Sequence, residues 1–145
     1  MEEIADGITL HWFDNDNIAH FMIGRVDGNR ADTLSEAVLN MLYDWPLDME
    51  IKLMFDLSIS GASMQFVVLS GDIFNVGVTD DGKHHFDQFL ADFPDRRVYL
   101  AVILPMSVSG RRAERTGINE HQVREQLEGA TFFDREDALR WLRGF

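Results

Sequence analysis

The chain has 145 residues with 25 acidic and 13 basic side chains, a formal charge of −12, 46% apolar residues and no cysteine. This length predicts one domain spanning residues 1–145, and the lack of cysteine excludes disulfides, thiolate metal sites and a cysteine nucleophile. No apolar stretch approaches the roughly 20 residues of a membrane-spanning helix, and the start is acidic where a signal peptide is basic. We therefore expect a cytoplasmic protein with no transmembrane segment. Its net negative charge also predicts that it does not bind nucleic acid.

The negative charge lies in the first part of the chain. Residues 1–82 contain 15 acidic and 3 basic side chains, whereas residues 83–145 contain 10 of each, nine of the ten cations being arginine. A guanidinium group binds carboxylate or phosphate through two parallel hydrogen bonds. The two regions could therefore steer a charged partner, although solvated ion pairs on helix surfaces give the same pattern.

The N-terminal pattern predicts a β-hairpin. Residues 8–13 alternate between apolar and polar side chains, with Trp12 on the apolar face, and residues 18–23 form an apolar run. The turn between them, 14–17, contains only Asp and Asn, which tolerate positive φ angles. Two neighbouring antiparallel strands are expected.

A helix and a buried strand follow the hairpin. Asp32 or Thr33 can cap a helix whose apolar residues recur at three- and four-residue steps as far as Trp45, and Pro46 ends it. Residues 50–57 predict a strand largely buried on both faces, because they contain Ile51, Leu53, Met54, Phe55 and Leu57.

The segment 58–78 has two interpretations. Ser63 can cap a helix over 64–74, but residues 66–69 are β-prone and Gly71 weakens a helix by about 1 kcal/mol. We predict a helix. After a loop at 80–82, an apolar stripe over 86–93 predicts another helix, which Pro94 ends.

The remaining elements complete an α/β pattern. Residues 98–104 predict a strand at the centre of a sheet, followed by a polar loop over 107–117. We then expect a helix over 118–127, a short edge strand over 131–133 and a last helix capped by Asp134. The order ββαβααβαβα predicts one α/β domain with a mixed sheet of four or five strands.

Three stretches form a recognisable pattern: Gly24–Gly28 between hairpin and helix, the strand 53–58 ending in Asp-Leu-Ser, and the closing segment 132–142 with Ala-Leu-Arg-Trp-Leu. They resemble the STAS domain family of bacterial anti-sigma-factor antagonists, particularly its divergent single-domain relatives. The resemblance implies a non-enzymatic module that regulates another protein by binding it. In the antagonists, a serine in an Asp-Ser-Ser-Gly turn is phosphorylated to release the partner. This chain lacks that turn, so the resemblance leaves Ser63 and Ser60 as candidate phosphorylation sites, with helix capping as the alternative.

The strongest candidate binding site is the loop after the predicted central strand. Ligands of open α/β sheets bind at the carboxyl ends of the strands, and this loop adds hydroxyl groups, a glycine and two guanidinium groups. A polar loop without a ligand is the alternative. The predicted partner- or anion-binding residues are Ser107, Ser109, Gly110, Arg111 and Arg112.

Other chemistry-bearing residues are fewer. Asp56, at the end of a predicted strand, is a possible polar site, although it can instead bind backbone amides of the next loop. His84 and His85 lie among aspartates, but adjacent helical residues diverge by about 100°, so no metal site is predicted. His11 and His20 can face each other across the hairpin. No nucleophile elbow, glycine-rich phosphate loop or dinucleotide fingerprint is present, so neither catalytic residues nor a cofactor are predicted.

Three functions remain open. The first is the regulatory protein-binding module, with a homodimer possible through the apolar 66–74 segment. The second is a binder of a lipid or anionic metabolite, since 7 Met and 11 Phe could line a pocket, although such residues also fill cores. The third and least favoured is an enzyme that uses Asp56 and the His84–His85 region.

Overall fold

A computed structural model of the protein describes residues 1–25, 29–59, 73–105 and 120–145, of which 120–123 are described by backbone alone. Within these ranges, seven strands form one sheet in the order β1-β2-β3-β4-β5-β7-β6, flanked by three helices. The elements are β1 (Glu2–Ala5), β2 (Ile8–Phe13), β3 (Ile18–Ile23), α1 (Arg30–Asp44), β4 (Ile51–Asp56), α2 (Asp80–Asp92), β5 (Val98–Ile103), β6 (Glu120–Arg124), β7 (Leu127–Phe132) and α3 (Arg135–Leu142).

The sheet is mixed, which confirms the predicted α/β class. Strands β3, β4, β5 and β7 are parallel, whereas β1, β2 and β6 each pair antiparallel with a neighbour. The predicted count of four or five strands was too low, since seven are present. We call the side on which the four parallel strands end the carboxyl edge, and the opposite side the amino edge.

The hairpin prediction is confirmed. Strands β2 and β3 pair from Ile8 opposite Ile23 to Phe13 opposite Ile18. In the turn, three consecutive residues have positive φ angles, 55° at Asp14, 57° at Asn15 and 64° at Asp16. Asp and Asn tolerate this left-handed region because their short polar side chains bind the local backbone.

The first strand was not predicted. Its sequence is Glu-Glu-Ile-Ala, which lacks an alternating apolar pattern, and only Ile4 and Ala5 are partly buried. Glu2 pairs with Leu10 and Ala5 with Ile8 of β2, with an irregularity between Glu3 and Ala5. The strand therefore forms because β2 offers a backbone edge, which its own side chains do not reveal.

The helix predicted over 118–127 was wrong where the chain is described. That prediction relied on the four-residue spacing of Val123 and Leu127, whereas residues 120–124 and 127–132 form an antiparallel pair. Strand β7 also pairs with β5 along its whole length, from Leu127 opposite Val98 to Phe132 opposite Ile103. The expected short edge strand at 131–133 is thus the end of a longer interior strand, and β6 forms the edge.

The first two helices begin earlier than the sequence predicts, and only the second has a side-chain cap. α1 ends before Pro46 as predicted, but begins at Arg30, with Asn29 as its N-cap residue, instead of at Asp32 or Thr33. α2 begins at Asp80, so the predicted loop at 80–82 was wrong; the Thr79 hydroxyl accepts a hydrogen bond from the Gly82 N–H and caps this earlier turn.

The last helix was predicted correctly. Asp134 caps α3 by accepting a hydrogen bond from the Glu136 N–H. The helix predicted over 64–74 lies almost entirely outside the described residues.

The helices cover both faces of the sheet. α1 and α2 pack on one face, where Leu34, Val38 and Phe86 belong to the larger buried cluster. α3 packs on the other face, over β4, β5 and β7, where Leu139 contacts a smaller cluster that includes Met54. Strand β5 is buried at every residue, which confirms its predicted central position. No helix among the described residues is long and apolar enough to cross a membrane.

Candidate functional site

The polar group at the end of β4 is the carboxylate of Asp56. Oδ2 accepts a hydrogen bond from His20 Nε2 at 2.9 Å, and Oδ1 accepts two from Ser58, at 3.0 Å from the backbone N–H and 2.6 Å from the hydroxyl. The residues Asp56 and His20 are only 3% and 1% exposed. Asp56 therefore sits in a network that joins two strands to the first turn of the following loop, buried at His20 and exposed at Ser58.

The sheet geometry creates this network. His20 of β3 is opposite Met54 of β4, and Met22 is opposite Asp56, so His20 and Asp56 are diagonal neighbours on one face. That face is the one covered by α3, because Met54 belongs to the cluster beneath that helix. The chain then continues from Leu57, whose N–H donates to the Ile103 carbonyl, which leaves Ser58 free to turn back towards the carboxylate.

The charge on Asp56 is maintained by hydrogen bonds. Burial raises the pKa of Asp56, but the hydrogen bonds from His20 and Ser58 together outweigh it and hold that pKa below its usual value. Because the carboxylate is the acceptor, His20 carries a hydrogen on Nε2. The other ring nitrogen, Nδ1, is buried and has no hydrogen-bond partner in the described part of the chain.

A second histidine lies beside the network. His11 and His20 are opposite each other in the hairpin with ring centroids 5.7 Å apart, as the sequence predicts. Burial, and after it the neighbouring His20, lower the pKa of His11, which therefore favours the neutral ring. The ring centroids of Phe13 and His20 are 5.7 Å apart, and the guanidinium carbon of Arg135 lies 5.9 Å from the centroid of the Phe13 ring. A strip of imidazole and aromatic rings therefore extends from Asp56 towards the amino edge.

This arrangement does not have the geometry of a catalytic triad. In a catalytic triad the hydroxyl contacts the imidazole, and the carboxylate binds the opposite ring nitrogen. Here the Ser58 hydroxyl and the His20 ring both donate to the same carboxylate. The contact between Asp56 and the Ser58 amide corresponds to the alternative role considered for Asp56 from the sequence, in which it binds the next loop.

The other predicted site residues divide into two groups. The binding loop, Ser107, Ser109, Gly110, Arg111 and Arg112, and the candidate phosphorylation sites Ser60 and Ser63, lie outside the described residues. His84 and His85 lie exposed on α2, and the described ranges contain no group of three or more His, Asp or Glu placed to hold a metal ion.

The amino edge also contains a groove that the sequence pattern does not reveal. It has a volume of about 480 Å³ and lies between α1 and the strands β1 and β2. Its aromatic floor pairs Trp12 and Trp45, whose ring centroids are 5.6 Å apart. The alternating pattern assigns Trp12 to the apolar face and hence to the core. The structure leaves Trp12 38% exposed, and such a pattern does not predict exposure.

The fold defines an α/β protein with a mixed seven-stranded sheet over the described ranges. No family model, no curated protein and no solved structure matches the chain. The resemblance to STAS domains stays a prediction.

Proposed function

We propose that this protein is a non-enzymatic regulatory module that binds another protein, as the resemblance to anti-sigma-factor antagonists implies. The observation that supports the proposal most is the closed network at Asp56. All its described hydrogen bonds go to His20 and Ser58 of the same chain. A carboxylate engaged in this way shapes the edge of the sheet and is unsuited to exchanging protons with a substrate.

The partner binds at the carboxyl edge in this proposal. Strand β5 ends at that edge between β4 and β7, and the chain leaves it at Pro105, shortly before the residues singled out from the sequence. Ser107, Ser109 and Gly110 contribute hydrogen-bonding groups and a small residue, and Arg111 and Arg112 bind carboxylates of an acidic partner surface. The protein acts in the cytoplasm without a cofactor.

Affinity capture with a matched control tests this proposal. The tagged protein is used to capture partners from a lysate of the source cell, and an identified partner is then purified and titrated. We expect the double variant Arg111→Ala/Arg112→Ala to lose the partner. The double variant Arg97→Ala/Arg140→Ala changes the net charge equally at exposed positions elsewhere and should retain it. Failure to recover any partner, or equal binding by both variants, contradicts the proposal.

Phosphorylation of Ser63 or Ser60 regulates this contact in the proposal, because a phosphate adds nearly two negative charges to the segment that follows β4 in the sequence. The variants Ser63→Asp and Ser60→Asp should release the purified partner, whereas Ser63→Asn and Ser60→Asn, of similar size without charge, should not. Partner affinity that is the same for the Asp and Asn variants would rule out the phosphorylation switch while leaving the binding proposal intact.

A further inference from the structure

The groove at the amino edge has a rigid aromatic floor. The indole N–H of Trp45 donates to the Glu50 carbonyl at 3.0 Å, and Trp45 itself is only 4% exposed. Trp12 packs against it with the ring planes inclined by 40° and keeps 38% of its surface exposed. The anchored ring of Trp45 therefore backs the ring of Trp12, which remains accessible to a ligand.

The rim of the groove is acidic. Glu2, Asp16 and Asp44 line it together with apolar residues and Asn40, and no basic side chain is among the lining residues that the structure describes. All three acids are exposed, and none of them forms an ion pair with a described residue. The groove thus combines an open aromatic face with unpaired negative charge.

Asp16 lies in an anchored turn, and Asp44 lies at the end of a helix. Asp14, in the same turn as Asp16, binds the Arg143 guanidinium through two hydrogen bonds of 2.8 and 3.0 Å, which anchors the turn to the segment after α3. Asp44 is the last residue of α1, whose final turn has no basic residue. A negative charge is unfavourable at the C-terminus of a helix, so Asp44 contributes nothing to the stability of α1 that would explain its position.

We propose that this groove binds a cationic side chain, arginine or lysine, carried on an extended segment of a partner protein. A cation over the face of a tryptophan is attracted by the negative charge of the ring face, and the three carboxylates add Coulombic attraction. The rigid floor lowers the entropy lost on binding, because the site needs little reordering.

The neighbouring edge strand explains why the ligand is a protein segment. Among the described strands, β1 has only one neighbour, so its outer backbone groups are available for a further strand. Glu2 and Ile4, two residues apart on β1, both line the groove. An extended peptide paired with β1 would place alternate side chains on this same face, which is how peptides recognise sheet edges. This surface lies at the opposite edge from the end of β5, which the loop of the proposed function follows in the sequence, and the two proposals can fail separately.

Synthetic peptides test the proposal with the full chain. The probe is an extended peptide with alternating Arg and Thr, and the control peptide replaces each Arg with citrulline, which has nearly the same shape without the charge. Binding is measured by isothermal titration calorimetry and by quenching of tryptophan fluorescence. We expect the Arg peptide to bind and the citrulline peptide not to bind. Equal binding of both peptides would overturn the proposal.

A pair of double variants separates the groove from the general acidity of the protein. Asp16→Asn/Asp44→Asn should weaken Arg-peptide binding about tenfold, because two carboxylates beside the cation are removed. Asp95→Asn/Glu125→Gln removes the same charge from exposed positions that do not line the groove and should change the affinity little. An equal loss in the two double variants would show non-specific attraction and contradict the proposal.

The aromatic contribution has its own control. Trp12→Leu should lower the affinity for the Arg peptide about fivefold, and Trp12→Phe should lower it less. Cation–π attraction decreases from Trp to Phe and is absent in Leu. Retention of full affinity by Trp12→Leu would contradict a cation over this ring. If tetramethylammonium ion binds as tightly as the Arg peptide, the ligand is a small cation and not a protein segment. If light scattering shows a dimer that depends on Asp16 and Asp44, the ligand is a second copy of the chain. Either outcome overturns the proposal.

Discussion

The two edges of the sheet use carboxylates in opposite ways. At the carboxyl edge, Asp56 is buried and its oxygens accept hydrogen bonds from His20 and Ser58. At the amino edge, Asp16 and Asp44 are exposed beside an aromatic floor and have no ion-pair partner among the described residues. A carboxylate satisfied inside the chain fixes structure, whereas one left unpaired beside an open cleft is free to recognise a ligand. Variants at the two edges measure that difference.

The largest effect is expected from Asp56→Ala. The variant leaves the buried His20 Nε2 and the Ser58 N–H without their acceptor, and loss of a charged partner at such a site costs about 3 kcal/mol of unfolding free energy. Urea denaturation followed by circular dichroism measures the change. Asp56→Asn keeps an oxygen acceptor and should lose less. A loss below about 1 kcal/mol for the alanine variant would mean that the network is as weak as a surface ion pair.

Acid unfolding tests the same carboxylate through its titration. The pKa of Asp56 is lower in the folded protein than its unfolded value of about 3.9. The ionised carboxylate therefore stabilises the folded protein fully at pH values above the unfolded pKa. This stabilisation is lost as the pH falls from the unfolded pKa through the folded pKa, because the unfolded chain binds the proton first. Urea midpoints between pH 7 and pH 2 should show a shallower acid decline for Asp56→Asn than for the wild type. Identical slopes would contradict the role assigned to this charge.

A smaller loss is expected from Ser58→Ala. It removes the hydroxyl bond to Asp56 but keeps the backbone N–H bond, and one such hydrogen bond contributes about 1 kcal/mol. Ser58→Thr, which keeps the hydroxyl, is the matched control for urea denaturation. A loss equal to that of Asp56→Ala would indicate that the hydroxyl, and not the carboxylate, organises this edge.

The smallest effect has the opposite sign and comes from the groove. Asp44→Asn removes a negative charge from the C-terminus of α1 and should raise the unfolding free energy by about 0.5 kcal/mol. The same variant should bind the Arg peptide more weakly, so that stability and affinity change in opposite directions. Thermal unfolding and calorimetry on one preparation measure both. A variant that is less stable than the wild type would show that Asp44 has a structural partner.

Sequence reasoning succeeded where short-range chemistry decides the structure. The hairpin turn at 14–17 needs residues that tolerate positive φ angles, and the cap at Asp134 needs a side chain that binds the local backbone; both are present. It failed where hydrogen bonding to a neighbouring strand determines the structure. The acidic β1 and the polar β6 form strands only because β2 and β7 pair with them.

The candidate sites show the same limit. His20 and Asp56 were both considered from the sequence, but not together. Their contact depends on the parallel register of β3 and β4, across 36 positions of the chain. Likewise, Trp12 and Trp45 form the floor of the groove only after α1 packs on the hairpin. Residue types identify candidates, and long-range packing decides which of them meet.

The parallel core of this sheet has a consequence for the speed of folding. β3 pairs with β4, β4 with β5 and β5 with β7. Each pairing closes a long loop, and the chain entropy is lost before the stabilising contacts form. The hairpin of β2 and β3 closes across only a four-residue turn, 14–17. The hairpin can therefore form on the microsecond scale, while β4 and β5, the strands buried on both faces, are incorporated late. Until then their apolar sequences stay exposed, and these two strands are where aggregation would compete with folding.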